Sequence, residues 1–131
     1  MKRAMLLALL LACGAAQASE WVPYVSGKTE FLVDTSSIRV EGAIRRTWSK
    51  SIPAPKTERG VGINSGKWVR YDLTHRAFNC SEESSKMDAI TVFHSDGTNM
   101  IEDFPGAGWS PVRPDTIGYA LMQFVCSWKL K

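Results

Sequence analysis

Once an N-terminal leader is set aside, only Cys80 and Cys126 remain of the three cysteines in this 131-residue chain, and that pair constrains the fold more than any other feature. Lys2 and Arg3 precede an apolar run from Ala4 to Ala12, followed by Ala16-Gln17-Ala18. The run is shorter than the roughly 18 apolar residues of a membrane span, and it ends on small residues at the positions a signal peptidase reads. Cleavage is expected before Ser19, which makes residues 1–18 a signal peptide and residues 19–131 the working domain. An exported chain meets an oxidising compartment, where two remaining cysteines pair by default. With no Cys-x-x-Cys and no histidine cluster beside either cysteine, a metal site or redox dithiol is the weaker reading. Closing that loop stabilises a small domain by about 4 kcal/mol on the chain-entropy account. Cys13 opens a second reading of the leader. Leu10-Leu11-Ala12-Cys13 loosely follows the lipoprotein box, so acylation and anchoring at Cys13 stands as the alternative to soluble export.

The composition fits one soluble domain with a real core, at 44% apolar and 22% charged residues. The chain is too short for two full domains. Loss of Lys2 and Arg3 reduces the 16 basic side chains to 14, against 13 acidic ones, so the net charge falls from +3 to about +1. A charge that small does not call for nucleic acid as a partner.

From Glu20 onward, short β-branched or apolar runs alternate with turn chemistry, the pattern of a meander. Trp21–Val25 contains Pro23, which confines it to an edge. Phe31–Val33 stops at Asp34-Thr35-Ser36-Ser37, and Ile38–Val40 resumes. In Ala43–Ile52, Ile44, Trp48 and Ile52 share a face. Residues 53–66 contain Pro-Ala-Pro and three glycines and read as a long mobile loop. Lys67–Cys80 is the longest strand, with Val69, Tyr71 and Leu73 alternating against Arg70, Asp72 and Thr74. Met87–Ser95 and Thr98–Phe104 flank Asp96-Gly97, a dipeptide suited to a type I′ hairpin. Helical spacing appears once, from Asp115 as N-cap to Cys126, with Ile117, Leu121, Phe124 and Val125 on one stripe. A Cys80–Cys126 bridge would staple that helix to the long strand.

The candidate sites are few. His75 and His94 are the only histidines, and without Cys, Asp or Glu at ligand spacing they read as half-exposed strand residues rather than haem or metal ligands. Asp72 and His75, three apart on a strand, face opposite sides, and no Gly-x-Ser-x-Gly elbow is present, so no catalytic residue is assigned. Arg45, Arg46, Lys50, Lys56 and Arg59, with Lys67, Arg70 and Arg76, concentrate positive charge around the long loop. Such a group is either a solvated sheet surface or a docking patch, and Arg45, Arg46, Lys56, Arg59, Lys67 and Arg70 form the candidate partner-binding surface. Trp48, Trp68 and Trp109 could add contact area there.

Several segments carry a family resemblance: Trp21-Val22, Val33-Asp34-Thr35-Ser36-Ser37-Ile38-Arg39, Trp48, Asn79-Cys80, Asp96-Gly97 and the closing stretch Trp109 to Leu121 with Cys126. Together they resemble the bacterial surface-adhesin protein E family over essentially the whole working domain. The chain departs from it in the poor lipoprotein box and in Asn79, where many members carry aspartate before the cysteine. The resemblance implies an α+β fold: an antiparallel sheet of about six strands whose concave face holds a C-terminal helix, tethered by one disulfide. It also implies an outer-membrane adhesin that binds host matrix and serum proteins, with haem binding and dimerisation known in the family. The expected function is an exported, non-enzymatic binding module at the surface or in the periplasm, which contacts a host or matrix protein and needs no cofactor. A homodimer formed through an exposed edge strand is a further expectation, and a periplasmic structural or accessory protein with no host ligand is the alternative.

Overall fold

The structure, a computed structural model, describes residues 18–130; Cys13 and all but the last residue of the expected leader lie outside them. Eight strands and one helix follow in chain order: β1 (Trp21–Val25), β2 (Glu30–Asp34), β3 (Arg39–Glu41), β4 (Ile44–Ile52), β5 (Val69–Asn79), β6 (Ser84–His94), β7 (Asn99–Asp103), β8 (Ser110–Pro111) and α1 (Ile117–Ser127). All pair antiparallel in one sheet of order β1-β2-β4-β5-β6-β7, with β3 added to β4 and β8 added to β6. The expected six-stranded path is therefore present, with two short additions. Pro23 lies on the β1 edge, where its missing N–H costs no ladder bond.

The switch from β2 to β3 is made by a 3-10 turn at Thr35–Ser37. The Asp34 carboxylate accepts from the amides of Glu20 (2.9 Å) and Ser36 (3.1 Å) and from the Ser36 hydroxyl (2.5 Å). Because β2 pairs with residues 49–52 of β4 and β3 with residues 44–46, neither strand reaches the Trp48 amide. Ser37 fills that gap: its hydroxyl accepts from Trp48 N at 2.9 Å and donates to the Asp34 carbonyl at 2.7 Å.

Two turns differ from their expected form. The Asp96-Gly97 hairpin is not type I′, since only Gly97 takes positive φ. His94 N bonds to Thr98 O and Gly97 N to His94 O, which makes a three-residue loop closed by a glycine bulge. Thr116, not Asp115, caps α1, its hydroxyl accepting from Tyr119 N at 3.2 Å. Asp115 instead sits at φ 60 in the bend before the helix. The Pro-rich connector hides β8, which pairs with the start of β6 although it contains Pro111.

One face of the sheet carries α1. Val33, Ile38 and Phe78 from the sheet side bury Leu121, Met122 and Val125 of the helix, with Tyr24, Phe124 and Trp128 at the margin. Cys80 and Cys126 are bridged. Arg45 Nη1 donates to the carbonyl of Val125 (2.8 Å), which also accepts from the Trp128 amide (3.3 Å), and to the carbonyl of Trp128 (2.6 Å), placing a cation at the C-terminal end of the helix. Ile117 starts the helix but is 40% exposed, so the buried stripe begins at Leu121.

Asp34 supplies a test of the β2–β3 switch. Burial opposes its ionisation, but the hydrogen bonds from Ser36 and from the Glu20 and Ser36 amides outweigh it and hold the carboxyl below its ordinary value. A lowered folded value means stabilisation that is complete above the ordinary carboxyl range and lost as the pH falls through the folded value. Urea midpoints should drop on acidification in the parent, and Asp34→Asn should be less stable at neutral pH with a shallower acid decline. An equal acid decline in both would contradict this role.

Candidate functional site

The basic residues expected to form one surface do not all meet. Arg45 and Arg46 are neighbours on β4 and so point to opposite faces. Arg45 is spent on the helix end, beneath α1. Arg46 lies on the open face, its Nη1 3.0 Å from Glu41 and its Nε 3.8 Å from Asp88. Neither joins the loop cations. Asp88, also 3.2 Å from His75 Nδ1, is the extra residue of a bulge between His75 and Arg76 of β5 and β6. His75 in turn packs on Trp48 at 4.8 Å between ring centroids.

Lys56, Arg59, Lys67 and Arg70 remain together at the loop that links β4 to β5. That loop is more ordered than its composition suggests. Gly60 N bonds to Lys67 O, Lys67 N to Asn64 O, Asn64 N to Val61 O and Ser65 N to Gly62 O, so residues 60–67 close on themselves around a 3-10 turn at Gly62–Asn64. The Arg59 guanidinium lies 3.6 Å over the Trp68 ring and donates to Gly66 O at 3.1 Å. Lys67 Nζ donates to the Thr98 hydroxyl at 2.8 Å and sits 3.4 Å from Asp96. Hydrogen bonds from the Thr98 hydroxyl and amide, joined by Lys67, push Asp96 down to about 2. Arg70, the bulged residue between Val69 and Tyr71, is exposed with its guanidinium 5.1 Å from the Tyr71 ring. Lys50 extends the row across the open face, 4.5 Å over Trp21 and 5.2 Å from Tyr71.

The apex of the loop is apolar and free. Ile63 is 99% exposed and Val61 64%. Neither belongs to the expected surface; their signal in the sequence is two β-branched apolar residues inside a glycine-rich turn, where no strand can bury them.

His94 anchors the loop from below. It is 1% exposed, not half-exposed as expected. Thr98 donates its hydroxyl proton to Asp96 (2.6 Å) and so accepts from His94 Nδ1 (3.2 Å), which assigns the proton to Nδ1. Nε2 has no hydrogen-bond partner among the described residues and is closed off by Gly60. Among the described residues no group of three or more His, Cys, Asp or Glu side chains is placed to hold a metal ion, and no helix is long and apolar enough to cross a membrane.

Gly60 fixes the loop against this support. A Cβ there would stand 2.5 Å from Asn64 O, 2.9 Å from Asn64 Cβ and 3.0 Å from His94 Nε2. Since a backbone oxygen cannot swing aside, Gly60→Ala should loosen the loop at a cost of about 1–3 kcal/mol. Limited proteolysis should then cut within residues 60–66 much faster than in the parent, and an unchanged cleavage rate and urea midpoint would contradict this packing.

A family profile described as surface-adhesin protein E matches residues 21–127. No curated protein matches the sequence. Among solved structures, Haemophilus influenzae protein E is similar with a TM-score of 0.56 at 15% identity, over 85% of this chain and 86% of that one. A crystal structure of protein E from non-typeable Haemophilus influenzae gives a TM-score of 0.58 at 16% identity, over 89% and 82% of the two chains. At such identities the structural likeness is one of fold, and the profile match spans nearly the whole domain described above. The chain belongs to the surface-adhesin protein E family.

Proposed function

We propose that this chain is an exported surface-binding domain, working by contact and not by chemistry, that holds a host or matrix protein through the apex of the loop between β4 and β5 and the cations around it. The observation that carries this reading is the fixed display of Ile63 and Val61 on a hydrogen-bonded loop. Two apolar side chains held in water by a closed backbone gain nothing for the fold. They suit a partner pocket, because a loop already ordered before contact loses little entropy on binding. Lys56, Arg59 and Arg70 are exposed beside that apex. Their charge would speed encounter with an acidic partner, while the apolar centre would supply residence time. Membership in a surface-adhesin family favours a partner outside the cell, and the leader read from residues 1–18 fits export.

The test is binding of the disulfide-bonded domain to an immobilised panel of matrix proteins. Ile63 makes no buried contact, so Ile63→Asp should keep the parent's melting temperature yet weaken binding about tenfold or more, as expected for a central interface residue. Arg59→Glu with Arg70→Glu should mainly slow association and flatten its salt dependence. Parent-like binding by both variants, or no matrix protein bound by the parent, would contradict the proposal.

A further inference from the structure

The face of the sheet that carries α1 is only partly covered by it. Beside the helix lie two cavities of about 260 and 270 Å³ that share Asp72, Met87 and Ile90 in their walls. The first is bounded by the start of α1 at Ile117 and Gly118, the second by residues 58–61 of the loop. Each approaches the lower end of small-molecule sites, roughly 300–1,000 Å³, and Asp72, Met87 and Ile90 are the side chains common to both.

The two ends of this groove differ chemically. At the first stand Arg76 and Tyr24, both half-buried, and neither makes a side-chain hydrogen bond or ion pair among the described residues. A guanidinium has five donors, and leaving it half-buried without a partner forfeits solvation for nothing inside the fold. Asp72 shares the cavity wall and favours the Arg76 charge through space, but it makes no ion pair with it; its carboxylate accepts from the hydroxyls of Ser51 (3.1 Å) and Thr74 (3.4 Å). Burial pushes the Tyr24 phenol up to about 12, against the pull of Arg76, so the hydroxyl keeps its proton and can donate. The second end is walled by Met87, Ile90, Val92, Met100 and Phe104, with Glu58 and Glu102 at its margin beside Arg59, whose guanidinium is engaged by Trp68 and the Gly66 carbonyl. Those carboxylates repel an anion there and leave room for hydrocarbon.

We propose that this groove binds a free fatty acid, its carboxylate held by Arg76 and Tyr24 and its hydrocarbon tail laid along Ile90, Val92, Met100 and Phe104. A planar guanidinium pairs with a carboxylate through two parallel hydrogen bonds, and the phenol adds a third donor from β1. The charge pattern sets the orientation, head toward α1 and tail toward the loop. The groove borders the loop through Arg59 and Val61 but not through Ile63, so Ile63→Asp leaves its lining intact and separates it from the protein contact proposed above.

Calorimetric titration of the disulfide-bonded domain with dodecanoate, below its micelle concentration, tests this directly. Saturable binding is expected, about tenfold or more tighter than for dodecyltrimethylammonium, which carries the same tail on a cationic head. Arg76→Gln should lose about tenfold in dodecanoate affinity and narrow the difference between the two heads. Tyr24→Phe should lose a smaller factor, and Ile90→Trp, which fills the groove, should abolish binding of both. If Arg76→Gln does not fold, Tyr24→Phe and the head-group comparison in the parent decide the matter. No saturable binding, equal affinity for the two amphiphiles, or full dodecanoate affinity in folded Arg76→Gln or Ile90→Trp overturns the proposal.

Discussion

The junction between α1 and the sheet determines what the rest of the molecule can present. Three unlike interactions converge on it: the Cys80–Cys126 bridge, the Arg45 guanidinium on the last helical carbonyls, and the apolar contact of Leu121, Met122 and Val125 with Val33, Ile38 and Phe78. The disulfide spans 46 residues and stabilises by about 4 kcal/mol through the unfolded chain. It does not by itself orient the helix; Arg45 and the core do that. An eleven-residue helix is about 16 Å long, whereas six strands span roughly 24 Å, so α1 cannot cover the face it lies on. It packs over β1, β4 and the Phe78 end of β5 and leaves the rest of the β5–β7 side uncovered, which is why a groove exists there.

Most of the fold was legible in the sequence because its signals are local. Pro23 marked an edge, the alternation from Val69 to Thr74 marked the long strand, and the spacing of Leu121 and Val125 marked the helix. The misreadings have particular physical causes. β8 has no periodicity to reveal it: it contains Pro111 and pairs with only two residues of β6, and Val112 N finds its carbonyl on Glu83 outside the ladder. Asp96-Gly97 marked the hairpin correctly but not its type, since the Thr98 hydrogen bonds to Asp96 favour a three-residue loop.

The site was less legible because it depends on facing and on closure. Arg45 and Arg46 are adjacent in sequence, and counting charge cannot separate residues that strand alternation sends to opposite faces. The loop looked mobile because its glycines and prolines were counted without their partners. Gly60 is needed for close approach to Asn64 and His94, and the backbone bonds from Gly60 to Lys67 turn the segment into a fixed feature. Full burial of His94 follows from that same closure, which no periodicity within β6 could reveal. Arg76 of β5 and Tyr24 of β1 line one cavity although β2 and β4 lie between their strands, a juxtaposition visible only once strand order is known.

Binding of a host or matrix protein requires the loop apex to be displayed to the outside of a cell. Antibody labelling of intact cells of the producing bacterium, beside permeabilised controls, tests that most directly. Intact cells should label at a level close to that of the permeabilised ones; signal that emerges only after permeabilisation would place the domain inside the envelope and contradict a surface role.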